Sequence, residues 1–367
     1  MVMAVNIPLK SPHVLSYIVS FAWYGFWSCL GDGPMEKIIF ARAPVRICDV
    51  GGWTDTWFCK AGAVFNFCID LYSYVRVYPQ AGSPVIDIIS ENLDISTEIQ
   101  DFRKIEYNGI LDILKSAIKR LGIKQGLKIF ARSDAPPGCG TGTSASIAVA
   151  MIGALSALNG HHYVNHEIAD LAHKLETEEL HLQSGVQDQY AAAFGGFNYM
   201  EIEYPKVRIS QIAPKPELTW QLEQQMVLVY LGSRSSSDMH LKVIENYEKG
   251  EKQTVDAFNA LQACPKEMVQ AVHRSDIEHI GAIMNKNWAA QKALHEKITT
   301  GQIATLEQLA KKHGAIGFKV NGAGGGGSAV ILSATGKEYG LKKDIVAAGF
   351  QILPFKFNFT GLQVWQK

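Results

Sequence analysis

One run constrains this chain more than any other: Pro136-Pro137-Gly138-Cys139-Gly140-Thr141-Gly142-Thr143-Ser144-Ala145-Ser146. Glycine at three alternate positions lets the backbone curl where a Cβ would clash. The hydroxyls that follow can cap a helix, which Ile147-Ala148-Val149-Ala150-Met151-Ile152-Gly153-Ala154-Leu155 would propagate. A glycine turn opening onto a helix N-terminus is an anion site, because unpaired N–H groups and the helix dipole both point at the ligand. It is not a Walker A loop, since no Lys follows the last glycine. Nor is it a dinucleotide fingerprint, because no acidic residue closes a strand about 20 residues on. The bland alternative is a well-capped loop-to-helix junction, and two further stretches weigh against it.

The first is Val45-Arg46-Ile47-Cys48-Asp49-Val50-Gly51-Gly52-Trp53-Thr54-Asp55-Thr56. A strand over Lys37–Pro44 is expected to end at the proline, with a second over Val45–Val50 running into the Gly51-Gly52 turn. That turn presents an apolar plate, a hydroxyl and a carboxylate at Trp53, Thr54 and Asp55, the means by which proteins hold a sugar. Taken alone, the same residues fit a hairpin turn whose Asp bonds its own backbone. The other stretch is Gly317-Phe318-Lys319-Val320-Asn321-Gly322-Ala323-Gly324-Gly325-Gly326-Gly327-Ser328-Ala329-Val330-Ile331-Leu332. Apolar strands abut its glycines on both sides, so it reads as a hairpin whose tip approaches another backbone or a ligand.

Between these lie two strands over Ala63–Tyr78, a helix over Asn108–Leu121 and a strand over Leu127–Ser133 that delivers the chain to the glycine loop. A helix over Asn165–Leu180 ends in Glu176, Glu178 and Glu179. On a regular helix Glu179 falls on the apolar stripe and Glu176 near its edge, so periodicity does not say which turns inward. His162 and His166 are spaced i,i+4, but without a third ligand they read as a solvated pair. Asp188 stands among small residues and amides, either as a held carboxylate or as a helix N-cap ahead of Ala191-Ala192-Ala193. Pro205–Glu217, with its prolines and mixed charges, is the best domain boundary. Beyond it, a strand over Met226–Leu231 leads to Arg234 among hydroxyls, a phosphate or sugar contact or a solvated loop. Helical patterns then run to about His313 and carry Trp288, read as core.

A length of 367 residues predicts about two domains. With 35 basic and 35 acidic side chains there is no field to hold nucleic acid or an anionic membrane. Cys29, Cys48, Cys59, Cys68, Cys139 and Cys264 are scattered, which fits a reducing cytosol rather than a disulfide framework. The apolar stretch Val14–Leu30 is readable as a signal peptide or anchor. The favoured expectation is a start at Met35, leaving residues 1–34 as a mis-assigned extension and no membrane partner.

Taken in this order, the three stretches resemble the GHMP kinase superfamily from Glu36 to the C-terminus. Gly51–Thr56 is similar to the fucokinase type, and Gln187–Glu201 is similar to the D-glycero-D-manno-heptose 7-phosphate kinases. The family's phosphate loop usually reads Gly-Leu-Gly-Ser-Ser, and here Thr141 and Thr143 replace the Leu and the first Ser. The resemblance implies a two-domain α+β fold, residues 35–215 and 216–367, with nucleotide and acceptor in the cleft between. It implies ATP and Mg²⁺, with Pro137, Gly138, Cys139, Gly140, Thr141, Gly142, Thr143, Ser144 and Ala145 around the nucleotide, joined by Gly324 and Gly325. Thr143 would bind the phosphates, Ser144 and Glu176 the metal. Asp188 would take or orient the acceptor proton, and Arg46 would stabilise charge beside it. Trp53, Thr54 and Asp55 would hold the sugar, and Arg234 with Lys319 an acceptor phosphate. The implied activity is ATP-dependent phosphorylation of a small sugar or sugar phosphate at its anomeric hydroxyl, in the cytoplasm. Heptose 7-phosphate leads as acceptor and an L-fucose-type sugar comes next. A mevalonate-like or homoserine acceptor, and a non-catalytic sugar and ATP sensor, are the alternatives.

Overall fold

Where two strands were expected at the start, the chain forms one, β1 (Ile39–Val50). Pro44 does not end it, because the register against the next strand steps between Pro44 and Val45 and pairing resumes beyond the irregularity. The computed structural model describes residues 37–233 and 239–367, so Val14–Leu30, Met35 and Arg234 lie outside the described residues. Likewise Ala63–Tyr78 lies within a single long strand, β2 (Ala61–Pro79). One edge of β2 pairs β1, while the other pairs two different strands along its length.

The remaining elements follow as β3 (Ile86–Ser90), β4 (Ile95–Ile99), α1 (Asp112–Arg120), β5 (Leu127–Ser133), α2 (Thr143–Leu158) and α3 (Asn165–Lys174). Then come α4 (Gln187–Phe194), β6 (Phe197–Glu203), β7 (Lys206–Ile212), α5 (Pro216–Gln225), β8 (Met226–Gly232) and α6 (Met239–Glu248). The chain closes with α7 (Lys252–Arg274), α8 (Ile277–Leu294), α9 (Gly301–Lys312), β9 (Gly317–Val320), β10 (Gly327–Leu332), α10 (Glu338–Ala347), β11 (Gln351–Leu353) and β12 (Gln363–Gln366). Helix α1 is shorter than the expected Asn108–Leu121. The Asp112 carboxylate accepts the Asn108 and Gly109 N–H groups, and Leu111 sits in the left-handed region, fixing the start there.

An eight-stranded sheet orders its main path β12-β1-β2-β5-β3-β4, with β6 on β2 and β7 on β6. A four-stranded sheet runs β11-β8-β10-β9, antiparallel throughout. Helix α2 is apolar on all sides, which marks a buried helix. Ala148, Val149, Met151, Ile152 and Leu155 on it pack with Ile39, Val75, Val77 and Ile129 of the large sheet. β12 brings the last residues of the chain back onto β1, and a Cβ at Gly153 would lie 2.9 Å from the Leu362 side chain beside that strand. Val45, Ile47, Phe65 and Phe67 of the large sheet share a second core with Met268, Met284 and Val330 of the other half. That shared core fixes the two sheets about the cleft. Trp288 is core, as expected, its Nε1 donating to Glu307 at 3.1 Å.

Candidate active site

The glycine loop ends at Gly142, the N-cap of α2, and Thr143 and Ser144 occupy the helix's first turn. Gly142 has φ +77, which L side chains avoid, and a Cβ there would lie 3.0 Å from Asp188 Cγ. Asp188, in the first turn of α4, therefore faces the bend. Arg46 Nε donates to Asp188 Oδ1 at 2.7 Å, Arg46 Nη1 donates to the Gly140 carbonyl at 2.5 Å, and Arg46 N–H donates to the Thr141 carbonyl at 3.0 Å. One arginine thus ties the loop to the carboxylate. Burial alone would lower the Arg46 pKa, but Asp188 and Asp49 overcome it and hold the guanidinium firmly charged.

The second glycine turn meets the first. β9 and β10 pair as the expected hairpin, and its tip closes on the loop. A Cβ at Gly327, whose φ is +84, would sit 2.8 Å from the Cys139 carbonyl oxygen, and Ser328 Oγ donates to that oxygen at 2.7 Å. Gly322 and Ala323 are the residues of this turn that line the cleft. Gly324 and Gly325 do not. They pack on Ile298, with Gly325 N–H donating to its carbonyl at 2.8 Å, so of this turn their neighbours, and not the expected Gly324 and Gly325, reach the cavity.

A cavity of about 390 Å³ opens among these elements. Gly138, Cys139, Gly140, Gly142, Thr143 and Ser144 line one side, and Arg46, Asp49, Trp53, Asp55, Thr56, Gln183, Ser184, Gly185, Gln187, Asp188 and His240 line the rest. Pro137, Thr141 and Ala145 support it from behind. The Pro137 carbonyl accepts from Tyr230 Oη, and Thr141 and Ala145 are buried.

Asp55 is buried, and its Oδ2 accepts the Gln187 N–H at 3.2 Å. Burial first, then the charge of Asp188, pushes its pKa up to about 6, against opposing help from the Gln187 N–H and Arg46. Thr54 turns away from the cavity. Its hydroxyl donates to the Gly51 carbonyl at 2.8 Å and accepts the Ala63 N–H, so it holds the turn together and does not reach a ligand. Trp53 lies on the cavity wall with His240 stacked against it, ring centroids 5.1 Å apart. His240 carried no sequence signal. Lys319, expected at an acceptor phosphate, is 1% exposed and bonded to Asp49 at 2.8 Å, so it is not available to one. His162 precedes α3, and His166 packs edge-on against Tyr190 and Phe194, so the pair never forms.

Glu176 turns inward in step with α3, four residues beyond Ala172 and three beyond His173, both of them buried. Leu175–Glu179 form a π-turn, whose extra residue shifts the phase of the helix. Glu176 is buried, its Oε2 accepting from Ser184 Oγ and from Gln189 Nε2 at 2.8 Å. Burial raises its pKa, and hydrogen bonds from Ser184, Ser144 and Gln189 oppose the rise. Glu179 instead faces Tyr107, Lys119 and Arg120. Ser144 and Glu176 thus supply two facing oxygen donors beside the helix N-terminus. Among the described residues no group of three or more His, Cys, Asp or Glu could hold a metal by itself. None of the described helices is long and apolar enough to cross a membrane.

This arrangement brings an anion-binding bend, an arginine-held carboxylate and a second buried carboxylate to one cavity. Residues 108–196 match the GHMP kinases N terminal domain and residues 268–344 the GHMP kinases C terminal domain. The D-glycero-alpha-D-manno-heptose 7-phosphate kinase of Campylobacter jejuni is 30% identical over 345 residues, covering 90% of this chain and 99% of that one. The bifunctional fucokinase/GDP-fucose pyrophosphorylase of Arabidopsis thaliana is 27% identical over 311 residues, 79% of this chain and 29% of that one. The crystal structure of a D-glycero-D-manno-heptose 1-phosphate kinase from Bacteriodes thetaiotaomicron has the same fold, with a TM-score of 0.71 at 24% identity over 89% of this chain and 98% of that one. By the first of these relatives, which it matches almost end to end, the chain belongs to the GHMP kinase family of ATP-dependent phosphotransferases.

Proposed function

We propose that this protein transfers the γ-phosphoryl group of ATP to the anomeric hydroxyl of a sugar or sugar phosphate, with D-glycero-D-manno-heptose 7-phosphate the leading acceptor and an L-fucose-type sugar next. The likeness to the Campylobacter jejuni enzyme supports the first acceptor and the Arabidopsis thaliana enzyme the second. The observation that carries the reading is Asp188, held by Arg46 at 2.7 Å against the bend of the glycine loop and open to the same cavity as Asp55.

Each residue's part follows from its surroundings. The N–H groups of the loop and of the first turn of α2 receive the phosphates, with the Thr143 hydroxyl among them. Ser144 and Glu176 fit Mg²⁺, a hard cation that takes oxygen donors and shares its shell between one or two carboxylates and the phosphates of the substrate. A bound Mg²⁺ supplies charge neutralisation on the transferring group. Asp188, held by Arg46, orients the acceptor hydroxyl and receives its proton as the new P–O bond forms. Asp55 accepts hydrogen bonds from sugar hydroxyls, and Trp53 with His240 forms the apolar wall of the acceptor end. The working division is into residues 35–215 and 216–367, with β12 returning to the first part.

The test is an acceptor screen that follows ADP release, run on the wild type and on Asp188→Asn. A sugar-dependent turnover that falls by more than about 1,000-fold in Asp188→Asn, with nucleotide affinity retained, is expected. Undiminished turnover in that variant would remove Asp188 from its role. Tight sugar and ATP binding without turnover in the wild type would favour a sensor.

A further inference from the structure

Behind Arg46 stands a buried ion pair that the reading above does not use. Asp49 on β1 and Lys319 on β9 are each 1% exposed, and Lys319 Nζ donates to Asp49 Oδ1 at 2.8 Å, so the pair joins the two sheets. A bulge puts Asp49 there. Ile47 pairs Phe67 and Val50 pairs Phe65, which leaves Cys48 and Asp49 facing Asn66 alone. Cys48 takes φ +53 in the bulge, and its N–H donates to Asn321 Oδ1 at 2.7 Å. Both Asp49 oxygens accept the Gly322 N–H at 3.1 Å, and Lys319 Nζ also donates to the Val320 carbonyl at 2.8 Å.

Arg46 lies between two carboxylates. Its Nε is 2.7 Å from Asp188 Oδ1, whereas its Nη1 is 3.8 Å from Asp49 Oδ1. A buried carboxylate with no cation of its own draws the nearest guanidinium, because an unpaired charge out of water is costly. Lys319 meets that need and does not line the cavity, so direct contact with a ligand is not its role.

We propose that Asp49 and Lys319 are a positioning pair for Arg46. Lys319 takes up the Asp49 charge, which leaves the guanidinium committed to Asp188 and to the Gly140 carbonyl. The pair thereby sets the direction of the carboxylate that faces the acceptor. Its kinetic consequence rests on the role proposed for Asp188, whereas its geometric consequence does not.

The experiment compares wild type, Lys319→Met, Lys319→Arg and the double variant Asp49→Asn/Lys319→Met. Lys319→Met should lower kcat by about 10- to 100-fold while KM for ATP changes by less than about threefold. Lys319→Arg should stay near wild type. The double variant removes the uncompensated charge yet keeps an acceptor for the Gly322 N–H, so it should regain at least about tenfold of the lost kcat. If the pair only staples the sheets, both Met variants lose stability together and the second substitution restores no turnover, which overturns the proposal. Should Lys319→Met fail to fold, the double variant decides alone. A folded double variant within about tenfold of wild-type kcat supports the proposal, and a deeper loss overturns it. The Arg46 Nε–H resonance of the ligand-free protein, assigned with Arg46→Lys, gives a readout without substrate. It should move in Lys319→Met and return in the double variant, and an unmoved signal refutes the proposal whatever the turnover. A resonance that behaves as expected in a protein that phosphorylates no sugar would overturn the proposed function and leave the pair standing.

Discussion

Replacing Asp55 with Asn should make the ligand-free protein more stable and the enzyme worse. The Asp55 carboxyl is buried beside Asp188, and its pKa stands at about 6 against an ordinary 3.8. The fold therefore binds this proton more tightly than the unfolded chain does. Below about pH 4 the group is protonated in both states and costs nothing. As pH rises from there to about 6 the unfolded chain ionises first, so stability is lost, and above pH 6 the loss is complete. The gap corresponds to about 3 kcal/mol at neutral pH and roughly half of that at pH 5. Asn keeps an acceptor for the Gln187 N–H, now 3.2 Å from Asp55, and carries no charge for Asp188 to repel. Thermal unfolding at pH 7.5 should then show the variant melting a few degrees above wild type, with the advantage about halved at pH 5. Turnover should move the other way, because an acceptor sugar loses a charge-assisted hydrogen bond. A fall of about 10- to 100-fold in kcat/KM for the sugar is expected. A variant that melts at or below wild type at pH 7.5, or whose advantage does not shrink by pH 5, would refute the account of Asp55 as a carboxylate held in the cleft at a cost to the fold.

Two further substitutions probe the turn and the metal. Gly142→Ala places a Cβ 3.0 Å from Asp188 Cγ at φ +77, and kcat should fall at least about tenfold along with about 1–2 kcal/mol of stability. Gly82→Ala is its control. It has the same φ of +77 with nothing within 4 Å, so chemical denaturation should show a comparable stability loss and the kinetic assay no change in kcat. Glu176→Gln keeps the hydrogen bonds from Ser184 and Gln189 within reach while removing the charge, and titration of turnover should need at least about tenfold more Mg²⁺. An unchanged requirement would take Glu176 out of the metal shell.

What could be read from the residues, and what could not, divides along a physical line. The glycine loop, its helix and the hairpin over residues 317–332 were legible, because each obeys a local rule: φ freedom, capping or alternation. Asp188 was left between a held carboxylate and an N-cap, and the N-cap is Val186. Glu176 was left undecided because Glu179 falls on the apolar stripe of a regular helix as well, and nothing in the residues announced the π-turn at Leu175–Glu179 that leaves Glu179 facing Lys119 and Arg120. Lys319 was named as a candidate for an acceptor phosphate, although it sits among Gly317, Phe318 and Val320, all buried. A lone cation in an apolar strand has to find a buried anion, and Asp49 supplies it. Nothing local announced Asp49 either, since its direction depends on the left-handed backbone of Cys48, a non-glycine. His240 meets Trp53 from far along the chain, and β12 returns to β1 from the far terminus, pairings that no short pattern encodes.

The failures have a common cause. The bulge at Cys48-Asp49 and the π-turn at Leu175–Glu179 each break a regular period, the first turning Asp49 toward the cleft and the second parting Glu179 from Glu176. A regular strand sends alternate residues to opposite faces, so it cannot turn both Arg46 and Asp49 toward the glycine turns without an interruption. A regular helix would carry Glu179 onto the buried stripe together with Glu176, and the π-turn separates the two. Such interruptions weaken local pairing, and they persist here because the interrupted residues are fixed from outside their own element: Cys48 N–H by Asn321, Asp49 by Lys319 and Gly322, Glu176 by Ser184 and Gln189. The site is therefore tied to the meeting of the two sheets. A change that loosens contacts across that meeting should reduce turnover before it unfolds either half.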